Sequence, residues 1–328
     1  MIQQRTPGKR IHLVFRVVAV AALVAAFTQV TLGGVVRVTG SGLGCPDWPL
    51  CHGQIIPPFE IDTLIEYTHR LSASVLSLLM LATAGMAWVF YRSNSWIMIS
   101  SVSGLVLVVV AAALGGATVL TELAWWVRLF HLAIAELVVA AMVIVSVVGW
   151  RQPGQSSSQE SNARETGGFN RLILATIVGV FLLILSGSYM VGYGAGSSCA
   201  TWPLCNGSLF PQGAPYAIHM GHRLLSVLVG ILVIATVVAA NSRGGRRPAL
   251  RWAGMILAVV FAIQIMVGAG TVWMGFASEM KAIHLSFATL VWTALMFLAT
   301  LVYSRQRLQF RSVEPGHGRT SELEGLTP

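Results

Sequence analysis

Four histidines in this chain stand where ionisable residues are rare. His69, His131, His222 and His284 occur in the segments EYTHR, FHLAIA, HMGHR and IHLSFA, each near the start of a long apolar run. An ionisable side chain within a bilayer is costly and marks a functional position. His69 and His131 fall at similar depth on two helices that run the same way, and His222 and His284 do so in the second half. Two imidazoles at one depth on neighbouring helices suit the axial positions of a haem iron, and bundle interiors hold such groups. A lone histidine of this kind is more often a hydrogen-bonded core residue. Four at related positions favour iron ligation, with His69 and His131 as one pair and His222 and His284 as the other. Zinc is the weaker reading, because neither pair has third and fourth protein ligands. His12, His52 and His317 lie in tails or loops and take no role.

The elements that must place these histidines follow from composition. The chain has 328 residues, of which 55% are apolar and only 10% charged. A soluble domain carries roughly 25% charged residues, so this is an integral membrane protein. Stretches of about 20 apolar residues are long enough to span, and eight occur: 14–36, 66–91, 97–119, 126–149, 171–192, 219–240, 250–272 and 282–303. The first is too long for a cleaved signal peptide and has no small-residue cleavage site after it. The formal charge of +9 would suggest nucleic acid in a soluble protein. Here it is distributed as membrane topology instead, and no nucleic-acid partner is expected. Sixteen Lys and Arg fall in one set of loops and tails; Arg37, Arg70, Arg128, Arg223 and Lys281 fall in the other. The positive-inside rule then places both termini in the cytoplasm and the loops at 37–65, 120–125, 193–218 and 273–281 outside. The absence of a targeting segment favours a bacterial plasma membrane.

The halves repeat one unit. CPDWPLCHG at 45–53 is answered by CATWPLCNG at 199–207, and Cys45 and Cys51 each lie 154 residues before Cys199 and Cys205. His69 and His222, Gly115 and Gly268, and His131 and His284 are each 153 apart. A fixed offset across these landmarks indicates an internal repeat. The expected fold is all-α: eight transmembrane helices as two tandem four-helix bundles in the same orientation. A tail over 1–13 precedes the first half at 14–149. A polar, Ser- and Gly-rich linker over 150–170 leads to the second half at 171–303 and a tail over 304–328. Each cysteine pair sits in the first outward loop of its half, on the oxidising side. This favours the disulfides Cys45–Cys51 and Cys199–Cys205 over free thiols, a metal site or a redox-active pair.

Arg70 and Arg223 directly follow His69 and His222 near the outer surface. There they suit the propionates of a haem, or equally the lipid headgroups at a helix end. Glycine pairs such as Gly33-Gly34 and Gly115-Gly116 allow close approach of helices or of a flat macrocycle. The halves differ at one informative place. Glu66, one turn before His69, has His219 as its counterpart. A carboxylate beside only one pair suggests chemistry in the first half and electron storage or transfer in the second. The competing reading is a capping box, with Thr63 as N-cap and Glu66 closing it. For His219 an extra ligand, a proton carrier and a loop anchor all remain open.

GGVVRVTGSGLGCPDWPLCHG, EYTHR, LFHLAIAE, TWPLCNG and MGHR together resemble the heme A synthase family in its bacterial form, over about 14–303. The resemblance implies oxidation of the C8 methyl group of heme O to a formyl group, through a hydroxymethyl intermediate, for the haem of terminal oxidases. It implies that His69 and His131 bracket the substrate haem, that His222 and His284 hold a resident heme b, and that Glu66 is the acidic catalytic residue. Heme O synthase and the recipient oxidase are the partners that pathway logic adds. Two other classes explain part of the pattern. A two-haem b-type electron carrier accounts for the histidines and the repeat but gives Glu66 no role. A transporter accounts for the repeat alone.

Overall fold

The computed structural model describes residues 8–150, 163–243 and 248–312. Most of the expected linker and C-terminal tail lies outside the described residues, as do residues 1–7 and His317.

Among the described residues the chain forms eight long α-helices: α1 Lys9–Thr39, α2 Ile61–Phe90, α3 Ser95–Leu120, α4 Trp125–Gly149, α5 Ala163–Gly192, α6 Ala214–Arg243, α7 Pro248–Trp273 and α8 Ser278–Ser312. All eight contain a stretch long and apolar enough to cross a membrane. The chain is thus a multi-pass membrane protein, and every expected span falls on its own helix. Some helices overrun the apolar runs, most clearly α1 and α2 at their starts, where polar and charged residues meet water and headgroups.

Local signals set the ends. Gly40 closes α1 in the left-handed conformation, its N–H donating to the Val36 carbonyl. Asn94 caps α3 by accepting from the Ile97 N–H at 3.2 Å. The start of α2 departs from expectation. The helix begins at Ile61, with Glu60 as N-cap and no side-chain cap. Thr63 is therefore already inside the helix, and its hydroxyl donates to the Gly44 carbonyl at 2.8 Å. The Thr63–Glu66 capping box does not form, and Glu66 is left for another partner.

Packing follows the chain: α1 on α2, α3 on α4, α5 on α6, α7 on α8. Between the halves, α1 meets α8 and α5 meets α4, with α4 against α8 at the centre. These contacts map onto each other when α1 is exchanged for α5 and α4 for α8. Of the eight spans α4 is the most buried. At its contact with α8, Glu136 is fully buried. It accepts the Thr289 hydroxyl at 2.7 Å, while its backbone carbonyl accepts the Trp292 indole N–H at 2.8 Å. Glu136 lies five residues after His131 and Thr289 five after His284, so equivalent positions of the two halves touch there. The loops after α1, α3, α5 and α7 gather at one end of the bundle, shown by Ser278 donating to Val38 O at 3.1 Å and Trp202 standing edge-on to Trp273.

Candidate functional site

The four histidines sit in the third turns of α2 and α6 and the second turns of α4 and α8, and each meets a glycine of the preceding helix. A Cβ on Gly33 would lie 3.1 Å from the His69 ring, on Gly115 3.4 Å from His131, on Gly187 3.3 Å from His222 and on Gly268 3.1 Å from His284. The absent side chain is what lets each ring lie against its neighbour helix. The second glycine of a pair makes room for a different neighbour. Gly34 receives Leu285 of α8, and Gly116 receives the Trp48 ring from the first loop. All four histidines are half-buried rather than sealed in the core. α1 to α4 contact one another in a ring, as do α5 to α8, so His69 and His131, and likewise His222 and His284, stand on diagonally placed helices.

The outer ring nitrogens have distinct partners. His131 Nδ1 lies 2.9 Å from the Ala111 carbonyl. His222 Nδ1 lies 2.7 Å from Ser186 Oγ, whose own proton goes to the Leu183 carbonyl at 2.7 Å. An acceptor at Nδ1 puts the proton there and leaves Nε2 for a metal. The chain thus fits haem at both pairs: two imidazoles on diagonal helices, glycine cradles a Cβ would fill, and a buried His284 Nδ1 with no partner among the described residues. No group of three or more His, Cys, Asp or Glu able to hold a metal occurs among the described residues. A porphyrin supplies four ligands itself, so it needs only the two that each pair provides.

Over each pair lies a disulfide loop. Cys45–Cys51 and Cys199–Cys205 are both bonded, with Cα atoms 4.7 Å apart in each. Each ring ends in the same tight turn. Cys51 pairs with Gln54 and Cys205 with Ser208, and the two residues between have positive φ: His52 and Gly53, Asn206 and Gly207. A two-residue turn of this kind needs a left-handed backbone at both positions, which Asn and Gly accept most readily. Asp47 accepts from the His52 and Gly53 N–H groups at 2.6 and 2.7 Å. The Gly53 bond, with His52 assisting, holds the Asp47 carboxyl below its ordinary range. In the second loop Thr201 stands in its place and accepts from the Asn206 N–H at 2.8 Å.

Arg70 and Arg223 tie these loops down. Arg70 donates to the carbonyls of Asp47 at 2.7 Å, Leu50 at 2.8 Å and Cys45 at 2.9 Å, and to Glu66 through Nε and Nη2. These bonds engage all five guanidinium N–H groups. Arg223 repeats the pattern on the carbonyls of Thr201, Pro203, Leu204 and Cys199. Both guanidiniums, expected at haem propionates or lipid headgroups, lie within loop clamps. Glu66 completes the first clamp: one oxygen bonds Arg70, the other accepts the Cys45 N–H at 2.9 Å. His219 completes the second, with Nε2 3.3 Å from Arg223 and Nδ1 3.1 Å from the Ala195 carbonyl. Of the roles open to His219, the loop anchor is the one this geometry displays.

Sequence reading passed over four side chains at the histidines or between the halves: Gln29, Ser72, Ser186 and Glu136. One signal was legible for the first, since QVTLG at 29–33 and QIMVG at 264–268 place a glutamine one turn before a cradle glycine.

A family model described as COX15-CtaA, cytochrome oxidase assembly protein, matches residues 16–296. Among curated relatives, the heme A synthase of Alkalihalophilus pseudofirmus is 24% identical over 294 residues, covering 89% of this chain and 98% of its own. That of Exiguobacterium sibiricum is 26% identical over 274 residues, covering 82% and 88%. That of Bacillus licheniformis is 25% identical over 283 residues, covering 84% and 92%.

Proposed function

From this chain's membership of the COX15-CtaA family, and from its two glycine-cradled histidine pairs, we propose that it is a heme A synthase. Its substrate is heme O. The C8 methyl group loses two electrons and two protons to an acceptor outside the chain and gains an oxygen at the oxidation level of water to become hydroxymethyl. A second two-electron oxidation gives a gem-diol, which loses water to leave the formyl group of heme A. The observation that carries this reading is the pairing itself. Histidines on diagonal helices occur twice, and only the first pair has a carboxylate one turn away.

His69 and His131 hold heme O by its iron, with the first four helices (14–149) forming that site. His222 and His284 hold heme b in the second four (171–303). A resident haem supplies electron transfer; the protein supplies position and field. Glu66 places a negative charge one turn outside His69. Arg70 and the Cys45 N–H fix that carboxylate, where it steers a proton or stabilises positive charge developing at the methyl carbon. Arg70 and Arg223 hold the loops over the haem edges. The farnesyl tail of heme O enters between helices of the first half from the lipid. The protein lies in a bacterial plasma membrane with both termini in the cytoplasm and the disulfide loops outside. Heme O synthase precedes it and a terminal oxidase receives its product.

Adding heme O to membranes that contain the chain, then chromatographing the extracted haems, tests the reading. Heme A or the hydroxymethyl haem is the expected product. Bound heme b with neither product would favour an electron carrier.

A further inference from the structure

The four histidines are not held alike. One turn before each cradle glycine the chain has Gln29, Ala111, Leu183 and Gln264, so one histidine in each half faces a carboxamide. His131 and His222 have partners at Nδ1 whose free capacity is to accept, the Ala111 carbonyl and the committed Ser186 hydroxyl. Their Nε2 lone pairs stay available.

His69 is different. Gln29 Nε2 lies 3.1 Å from Nδ1 and 3.3 Å from Nε2, and donates to the His69 carbonyl at 3.1 Å. Its Oε1 accepts the Ser72 hydroxyl. An amide N–H only donates, so the ring nitrogen it meets must be bare. Nδ1 is the nearer, so the ring proton sits on Nε2 and this arrangement opposes ligation.

Turning the carboxamide over reverses the outcome. Oε1 then accepts Nδ1–H, and Nε2 of Gln29 donates to Ser72 Oγ. Ser72 gives its proton to the His69 carbonyl, which it already reaches at 2.9 Å. Ser72 serves both arrangements because a hydroxyl donates and accepts.

The second half lacks that alternative. Gln264 Oε1 and His284 Nδ1 are both buried without a partner among the described residues. They belong to one neighbourhood, since Gly268, a turn after Gln264, abuts the His284 ring. The residue three after His284, matching Ser72, is Phe287. It offers no hydroxyl to hold the amide the other way.

We propose, on the haem reading given above, that Gln29 and Ser72 form a two-position carboxamide switch that makes His69 a releasable haem ligand. Gln264 has one useful position, closing on His284 Nδ1–H to make it a fixed one. Gln29 is a positioning residue: it acts through His69 and touches no reacting atom. The switch gives the first site the property a substrate haem needs, loading and release, and its absence gives the second site retention.

The test uses the full chain in detergent, loaded with heme b at both sites, with excess apomyoglobin as haem acceptor. Wild type should release haem in a fast and a slow phase. Gln29→Glu offers only acceptors to the ring and fixes the ligating arrangement. It should slow the fast phase by roughly tenfold, the gain of a charge-assisted over a neutral hydrogen bond, and lower the reduction potential of that haem alone. Gln264→Glu should lower the potential of the second haem and leave the fast phase unchanged. The second-half haem bands report whether Gln29→Glu has folded. If it has not, 15N-histidine spectra of the wild-type chain before loading decide, with His69 assigned by its loss in His69→Ala. His69 should carry its proton on Nε2, and His131 on Nδ1. An unchanged fast phase and potential in folded Gln29→Glu, or a His69 protonated like His131, overturns the switch. A wild-type chain that binds no bis-imidazole haem overturns the reading beneath it.

Discussion

The two disulfide loops are built on the same plan, and they differ where charge is concerned. Both close a Cys–Cys ring, end in a two-residue left-handed turn, and are gripped by an arginine that follows a candidate ligand histidine. The first loop has Asp47 and Glu66 where the second has Thr201 and His219. Beside Arg223 the second loop is held by Thr201 and His219, so holding a loop does not require a carboxylate. The negative charge in the first half must then serve something besides architecture.

Removing a ligand separates the halves most sharply. His222→Ala should abolish the tightly held haem, read as loss of its low-spin bands in the purified protein, while the first loop and its disulfide persist. The next largest effect belongs to Glu66. Glu66→His imports the clamp of the second half, and Glu66→Gln keeps an acceptor for Arg70 without the charge. Both should reduce conversion of heme O by about 100-fold, a general acid–base contribution, with the second-half haem spectrum unchanged. Full activity in Glu66→His would reduce Glu66 to a loop anchor.

Smaller effects test the scaffold. A Cβ on Gly116 would lie 2.8 Å from the Trp48 ring. Gly116→Ala should therefore destabilise the first loop by about 1–3 kcal/mol through overpacking, measured as a lowered melting temperature in detergent. Mutating either cysteine pair to serine should cost about 2 kcal/mol for so short a ring, and the two halves should lose alike. The least effect is one of pH. Asp47 has its carboxyl pulled below its ordinary range by the Gly53 and His52 N–H groups. Its contribution is whole above the ordinary carboxylate range and is lost as pH falls through the lower, folded value. Amide exchange at His52 and Gly53, corrected for intrinsic rates, should quicken on acidification, whereas Asn206, held by Thr201, should show no such change.

What could be read from sequence was whatever leaves a periodic or compositional mark. Eight apolar runs, four histidines at one offset and two cysteine pairs are such marks, and the helices and disulfides lie where they indicated. The capping box over Thr63–Glu66 has the right letters, but the Gly44 carbonyl claims the Thr63 hydroxyl and the helix starts three residues earlier. Arg70 was open to headgroups or propionates because its actual acceptors are backbone carbonyls, which carry no residue identity. Glu136 lies within LFHLAIAE, yet its place between the halves depends on α4 meeting α8, a tertiary contact beyond any local pattern.

The division of labour between the pairs is the central claim. The direct measurement is expression of wild type and His69→Ala in a host that makes heme O but no heme A, followed by extraction and chromatography of the haems. Wild type should yield heme A, and His69→Ala should yield none while the purified protein retains heme b. Heme A from the His69→Ala chain, or none from wild type with heme O present, would contradict the account.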